Sequence, residues 1–104
     1  GIYCFRLSFK HLFGMVDDKD VTHVMAMLPK DAVYYFCKAT THRAITEDKI
    51  QKIGEECGLH GTCYNSVEAA YNVACNEASP EDFIFIGGSS YVVADLLTYL
   101  ENNN

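Results

Sequence analysis

The chain has 104 residues, of which 49% are apolar, and its 14 acidic against 8 basic side chains give a formal charge of −6. This length and apolar content predict one folded domain over residues 1–104 and exclude a disordered chain. The negative charge, without a cluster of Lys and Arg, makes nucleic acid a poor partner, and no apolar run approaches the roughly 20 residues of a membrane span.

The first half of the chain alternates short apolar runs with one helical pattern. Residues 11–15 predict a short strand. Apolar residues spaced i, i+3, i+4 and i+7 predict a helix over 21–28, which Pro29 ends. Residues 32–37 are apolar almost throughout, which is typical of a strand covered by helices on both faces.

The second half continues the alternation with three helices and two strands. Thr46 is suited to cap a helix that Gly58 ends in a left-handed conformation. After a short strand over 61–65, Ser66 caps the next helix, and a second fully apolar strand follows over 83–86. In the last helix we predict that the inward residues are Val93, Leu96, Leu97 and Leu100.

This alternation predicts the fold class. Strands separated by helices of about ten residues favour right-handed crossovers and parallel pairing. We therefore predict an α/β fold of three layers, a Rossmann-like, mainly parallel sheet with helices on both faces. Function does not follow from such a fold by itself.

Cysteine and histidine spacing argues against a metal site. The five cysteines are an odd number without a C-x-x-C pair, and the four histidines are scattered. Zinc sites and disulfide scaffolds need closer or paired spacing, so we predict no metal site and reduced thiols in a cytoplasmic protein. The first residues lack the layout of a signal peptide, and a start at Gly1 fits an excised segment.

Ligands of parallel sheets collect at the carboxyl ends of the strands, which here selects residues 14–20, 38–43 and 87–91. In the last of these loops, Gly87-Gly88-Ser89-Ser90, a ligand could approach the backbone closely. The N–H groups of the following helix favour a carboxylate or phosphate there. The alternative is that the glycines only make a tight turn and a serine caps the helix. The run is not a P-loop, because no Gly-Lys-Ser/Thr ends it.

The other two loops carry charged candidates. Lys19 either holds a substrate carboxylate or lies in solvent beside an N-cap at Asp20. The acids around Lys19 suggest Mg²⁺, but a solvated turn of acids rarely needs an ion. In the third loop, the guanidinium of Arg43 suits a carboxylate or phosphate better than His42 does.

A set of segments, in order along the chain, resembles the folylpolyglutamate/dihydrofolate synthases, a family of Mur-ligase-like enzymes. The segments are FGMVDDKDV (13–21), LPKDAVYYF (28–36) with the later pair RA (43–44), GLHG (58–61), SPEDFIFIGGS (79–89) and YVVADLL (91–97). The resemblance runs from about residue 11 to residue 100 and implies the C-terminal domain of such a ligase.

The resemblance implies ATP-dependent amide-bond formation, in which ATP phosphorylates a carboxylate and the amine of glutamate attacks the acyl phosphate. It implies that Lys19, Gly88 and Ser89 hold the glutamate and that Arg43 contacts nucleotide or substrate when domains close. ATP and Mg²⁺ would be bound mainly by domains outside this chain. The partners would be the central ATPase domain, L-glutamate and a folate or dihydropteroate, and no catalytic residue would lie in this chain, which would be inactive alone.

Two departures from the family pattern leave other functions open. The Asp-Gly-Ala-His-Asn run that opens the family's C-terminal domain is absent, and residues 1–10 do not match the family and instead predict an extra edge strand over 3–7. Loss of the strand and helix that open the family's domain would leave an edge or face of the sheet uncovered, which predicts self-association. The alternatives are a non-catalytic interaction module derived from such a ligase and a free-standing Rossmann-like domain that binds a nucleotide at Gly87.

Overall fold

The computed structural model describes residues 9–17 and 20–103. Strands and helices alternate along them in the order β1 (Phe9–Gly14), α1 (Val21–Ala26), β2 (Val33–Cys37), α2 (Glu47–Glu56), β3 (His60–Tyr64), α3 (Val67–Glu77), β4 (Phe83–Gly88) and α4 (Ser90–Asn102). This confirms the predicted alternation, with shifts of one or two residues at several ends. The predicted edge strand over 3–7 and Lys19 lie outside the described residues. Within these ranges, no helix has the length and apolar character needed to cross a bilayer.

The sheet has the strand order β3-β2-β1-β4, and all three neighbouring pairs are parallel. The chain moves outward from β1 to β3 and then returns across the sheet to place β4 on the other side of β1. The strand order therefore reverses between β1 and β4. In open α/β sheets, ligands bind at the carboxyl ends of the strands beside such a reversal.

Helices cover both faces of the sheet, which confirms the three-layer prediction. One core cluster joins the sheet to α3 and α4, and its fully buried members include Leu12, Tyr35, Cys37, Val67, Ala70, Ala74 and Val92. The other cluster joins the opposite face to α1 and α2, and its buried members include Phe13, Met25, Tyr34, Phe36, Ile50 and Leu59. β2 is buried on both sides from Tyr34 onward because it lies inside the sheet.

A buried ion pair ties the start of β1 to the turn before β4. The Lys10 ammonium lies 3.6 Å from a carboxylate oxygen of Asp82, and both side chains are almost fully buried. The same carboxylate accepts a hydrogen bond from the Ser79 amide at 2.8 Å. Nearby, the Tyr35 hydroxyl donates to Glu77 on α3 at 2.6 Å. These contacts fix the α3–β4 connection against the central strand.

The second fully apolar strand of the sequence, β4, is not buried on both faces. β4 lies at the end of the sheet, and Phe83 and Phe85 are 55% and 49% exposed. An apolar run predicts burial only if neighbours cover both faces, and α1 and α2 pack over β2, β3 and each other instead. The sequence alone did not indicate which apolar strand would lie at the edge.

The inward face of α4 was also predicted partly wrongly. Leu96 is buried as expected, but the residue buried one turn earlier is Val92, whereas Val93 and Leu97 are 40% and 55% exposed. The helix carries apolar residues on two adjacent stripes, so periodicity did not distinguish them. Val92 is the buried one because its side chain packs directly against Gly14 at the end of β1.

Candidate functional site

The turn between β4 and α4 is hydrogen-bonded to the end of the central strand. Gly88 has a φ of +96°, and a Cβ atom built on it would lie 2.1 Å from the carbonyl oxygen of Gly14. Only glycine fits such a left-handed position at this distance from another backbone. The Ser89 amide then donates to that same Gly14 oxygen at 2.9 Å. The turn after β4 therefore lies directly against the start of the loop that carries Lys19.

The missing side chains of Gly87 and Gly88 leave room for other atoms of the protein itself. A Cβ on Gly87 would lie 2.7 Å from the Nε2 atom of His11, so this glycine makes room for an imidazole on the neighbouring strand. Ser89 is nearly buried, and its side-chain oxygen accepts the Tyr91 amide at 3.0 Å as the N-cap of α4. The tight turn and the serine cap predicted for this segment are thus confirmed. The capping oxygen acts as an acceptor, so the Ser89 hydroxyl keeps its own proton to donate.

The loop after β1 is bonded to the loop after β2. The Ile45 amide donates to Met15 at 2.8 Å, the Asp17 amide donates to the Arg43 carbonyl at 2.7 Å, and Val16 forms an antiparallel bridge with Ala44. These bonds make a short ladder just beyond the carboxyl ends of the two strands. The segments that precede Lys19 and contain Arg43 are therefore held side by side.

A hydrogen bond to α4 also connects the loop after β2 to the helix that follows β4. Asp95, in the second turn of α4, accepts a hydrogen bond from the Thr40 amide at 2.6 Å. The loop after β2 is thus bonded to α4 at one end and to the loop after β1 at the other. The described parts of all three loops lie at the carboxyl ends of the strands, with residues 14–17 between the other two loops.

A polar cleft of about 420 Å³ lies beside the Arg43 loop. It is lined by Asp17, His42, Arg43, Ala44, Ile45, Thr46 and Lys49. Arg43 and His42 were candidates from the sequence, whereas Lys49, which comes from the first turn of α2, was not. Its position three residues after the N-cap Thr46 could have indicated that it points toward the same cleft. The cleft combines three nitrogen-bearing side chains with one carboxylate, which suits a mixed or anionic ligand.

Two groups near these loops have shifted pKa values. Burial, with a smaller contribution from Asp95, raises the pKa of the Cys37 thiol to about 12, so this cysteine below the loops is a neutral apolar side chain. A hydrogen bond with Thr46, followed by backbone bonds, lowers the pKa of the exposed Asp48 carboxyl. Thr46 is the N-cap of α2 as predicted, although its side chain does not accept a backbone N–H.

The described residues do not supply a metal centre. No group of three His, Cys, Asp or Glu side chains in residues 9–17 and 20–103 is placed to hold one ion. The sequence also lacks the P-loop pattern of a nucleotide phosphate site.

The sequence comparison and the structure comparison with known proteins both match folylpolyglutamate synthases. The chain is 32% identical over 89 residues to a protein of Halobacterium salinarum described as a probable bifunctional folylpolyglutamate synthase/dihydropteroate synthase, covering 84% of this chain and 11% of that protein. No protein-family model matches the chain. Among solved structures, E. coli FolC in complex with DHPP and ADP matches with a TM-score of 0.82 at 23% identity, over 92% of this chain and 22% of that one.

The chain is related to the folylpolyglutamate synthases. Its fold is that of the C-terminal domain of FolC, as the resemblance implied. A further match, with a TM-score of 0.73 and 22% identity over 90% of this chain and 22% of the other, is a bifunctional folylpolyglutamate synthase/dihydrofolate synthase with Mn, AMPPNP and L-glutamate bound. The chain spans about a tenth of the length of the curated relatives it matches.

Proposed function

We propose that this chain is the glutamate-presenting C-terminal domain of an ATP-dependent folate–glutamate amide ligase. The observation that carries the proposal is the hydrogen bond from the Ser89 amide to Gly14, which joins the α4 turn to the base of the Lys19 loop. The relatedness to folylpolyglutamate synthases supplies the reaction. In this proposal, the adjoining loops at the carboxyl ends of the strands hold an amino acid with two carboxylates.

The binding step follows from the charges available at the α4 turn. The amides at the start of a thirteen-residue helix carry partial positive charge, and the Ser89 hydroxyl adds a donor. One carboxylate of glutamate binds at Gly88 and Ser89 in this proposal, and the Lys19 ammonium, on the adjacent loop, neutralises it. A helix terminus and a lysine together stabilise an anion better than either alone, because their fields add in a partly desolvated turn.

Arg43 and its cleft have a second role in the proposal. Arg43 lies in the neighbouring loop, where its carbonyl accepts the Asp17 amide, and it lines the polar cleft there. We assign it a contact with nucleotide or substrate phosphate when the domains close. Such closure excludes water and places donors from two domains around the developing charge.

The proposed partners of the chain follow from which part of the reaction each domain would carry out. ATP and Mg²⁺ are bound by the central ATPase domain, which also holds the folate or dihydropteroate carboxylate. This chain alone offers one wall of the site, so it binds glutamate weakly and does not catalyse the reaction. A second copy of the chain, at an open sheet edge, is a further partner that does not depend on the ligase role.

The proposal is tested in the full-length enzyme that contains this domain, by ATP- and glutamate-dependent extension of a folate. Lys19→Ala and Ser89→Ala are each expected to raise the KM for glutamate by about tenfold or more, since each removes a charge-assisted hydrogen bond of ~1.5–3 kcal/mol. The KM for ATP is expected to change much less.

Two matched variants separate binding from stability. Lys30→Ala removes an exposed lysine that precedes β2, at the amino end of that strand. Ser66→Ala removes a serine that caps α3 by accepting the Ala69 amide at 3.1 Å, as Ser89 caps α4. Both controls should leave the KM for glutamate unchanged. If Lys19→Ala and Ser89→Ala behave like their controls, the assignment of the glutamate site is wrong.

A further inference from the structure

The polar cleft beside the loop after β2 concentrates positive charge in a chain that is acidic as a whole. The chain carries a formal charge of −6, whereas the cleft is lined by the cations Arg43 and Lys49 and by the single carboxylate of Asp17. His42 lines it too, and its imidazole can donate a hydrogen bond in either charge state. Such a local excess of positive charge attracts an anion, whatever the net charge of the molecule.

The two cations reach the cleft from different elements, and each element is fixed to the rest of the fold. The Arg43 carbonyl accepts the Asp17 amide at 2.7 Å, which ties its loop to the end of β1. Lys49 lies in the first turn of α2, and the next residue, Ile50, is fully buried in the core. Both side chains therefore extend into one cleft from supported backbone.

The start of α2 does not itself supply the donors for an anion in this cleft. Glu47 and Asp48, the acids of its first turn, are not among the residues that line the cleft. The Asp48 carboxyl is hydrogen-bonded to Thr46 and to the backbone of its own turn, which lowers its pKa. It thus occupies donors at the helix start, so an anion in the cleft must be held by the side chains of Arg43 and Lys49.

We propose that Lys49 is a second phosphate-binding residue of this cleft and that it acts with Arg43 on one phosphate group of the nucleotide. This role rests on the ligase function proposed above, in which Arg43 meets nucleotide or substrate when the domains close. It adds a binding residue from α2, and it assigns the cleft to the phosphate of ATP rather than to a carboxylate of glutamate.

The presence of two cations favours phosphate over carboxylate. The guanidinium of Arg43 presents two parallel N–H groups, which by themselves satisfy both oxygens of a carboxylate. A terminal phosphate has three free oxygens and a larger negative charge, so an oxygen remains for the Lys49 ammonium, which binds as a point charge. Because the Asp17 carboxylate repels any anion in the cleft, both cations are needed to outweigh it.

The test uses the full-length enzyme that contains this domain and begins with ATP binding, measured by calorimetry with glutamate present and no folate. Lys49→Ala is expected to weaken ATP binding about tenfold or more, since it removes a charge-assisted hydrogen bond, and Lys49→Arg should retain most of the affinity. The matched control is Lys52→Ala, an exposed lysine one turn further along α2 that does not line the cleft. Equal ATP affinity in Lys49→Ala and Lys52→Ala overturns the proposal, whether or not the enzyme extends a folate.

Steady-state kinetics of the same variants distinguish the ligand of Lys49 and separate this role from the proposed function. Lys49→Ala should lower kcat/KM for ATP about tenfold or more and leave the KM for glutamate nearly unchanged. A raised KM for glutamate with unchanged ATP binding would assign Lys49 to a carboxylate and overturn the proposal. A wild-type enzyme that binds ATP but does not extend a folate would contradict the proposed function, and ATP binding by the two lysine variants would still decide the role of Lys49.

A double variant tests whether one phosphate meets both cations. Lys49→Ala should cost less ATP affinity in an Arg43→Ala background than in the wild type, because the phosphate is then no longer seated in the cleft. Equal losses in both backgrounds would mean that the two residues bind separate groups, which would overturn the shared site. The side chains of Arg43, Lys49 and Lys52 are exposed, so thermal unfolding of each variant should match that of the wild type.

Discussion

At the scale of single residues, His11 has an environment that favours its neutral form. Its ring stacks on Tyr34 with centroids 5.2 Å apart, meets Phe13 edge-on at 5.6 Å and lies beside the open position of Gly87. Burial lowers the pKa of the imidazole from its ordinary value of 6.5. The neutral ring acts as part of this aromatic cluster, because charging it there would cost solvation.

This environment predicts a pH dependence of stability. Because the pKa of His11 is lower in the folded state, the unfolded state binds the proton first, and stability falls as the pH drops below about 6.5. The loss continues until the pH passes below the folded-state pKa. Urea unfolding at pH 7.5 and pH 5 should show a larger loss for the wild type than for His11→Gln. The exposed His60→Gln should behave like the wild type, and equal losses in all three chains would contradict this account.

Gly88 is the residue at which backbone geometry is most demanding. A side chain there would need a left-handed φ and would meet the Gly14 carbonyl. We expect Gly88→Ala to lower the free energy of unfolding by ~1–3 kcal/mol, the range for strained backbone positions. Gly54→Ala is a useful comparison, because its Cβ would meet the ends of two side chains, Phe36 and Met25, and no backbone atom. Thermal unfolding that ranks Gly88→Ala as the milder change would show that the turn can relax.

At the scale of elements, the Lys10–Asp82 pair decides how β4 is positioned against β1. The pKa of Asp82 is lowered, first by the Ser79 amide and then by Lys10. A carboxyl with a depressed folded-state pKa stabilises the fold above the pH at which the unfolded group titrates, near 3.8, and that contribution is lost as the pH falls through the folded-state value. The stabilisation that this carboxylate gives to the turn before β4 should therefore decrease only as the pH falls below about 3.8.

A double-mutant cycle tests this connection. Asp82→Asn keeps an acceptor for the Ser79 amide but removes the charge opposite Lys10, and Lys10→Met removes the ammonium at similar length. We expect each single variant to be destabilised and the double variant to be less destabilised than the sum of the two, because it removes both charges together. Guanidinium unfolding at pH 7 measures the coupling. Additive effects would mean that the pair contributes no interaction energy.

The extent to which the elements could be predicted follows from the kind of signal each one has. The strand predicted over 32–37, the cap at Ser66 and a serine cap for the last helix depend on local sequence. The structure confirms them as Val33–Cys37, Ser66 and Ser89. The burial of β4 and the rotation of α4 depend on which neighbours arrive from elsewhere in the chain. Apolar content alone did not determine them, because Val92 and Val93 are equally apolar and only one meets Gly14.

At the scale of the whole molecule, the grouping of the candidate loops was predictable and their internal contacts were not. Parallel strands place their carboxyl ends together, so the approach of the Arg43 and Ser89 loops to the end of β1 followed from the fold class. The role of Gly87 in accommodating His11 needed the strand order β1–β4, which the sequence did not reveal. The place of Lys19 within this group remains a prediction.

The bond between Ser89 and Gly14 also limits how the domain can move. The α4 turn is fastened to the central strand, and the loop after β2 is fastened to both α4 and the loop after β1. A lid that folds over its ligand needs hinges with few such attachments. The described parts of the three loops are therefore held together by these bonds, and the domain closure proposed above would require the whole domain to move as one body.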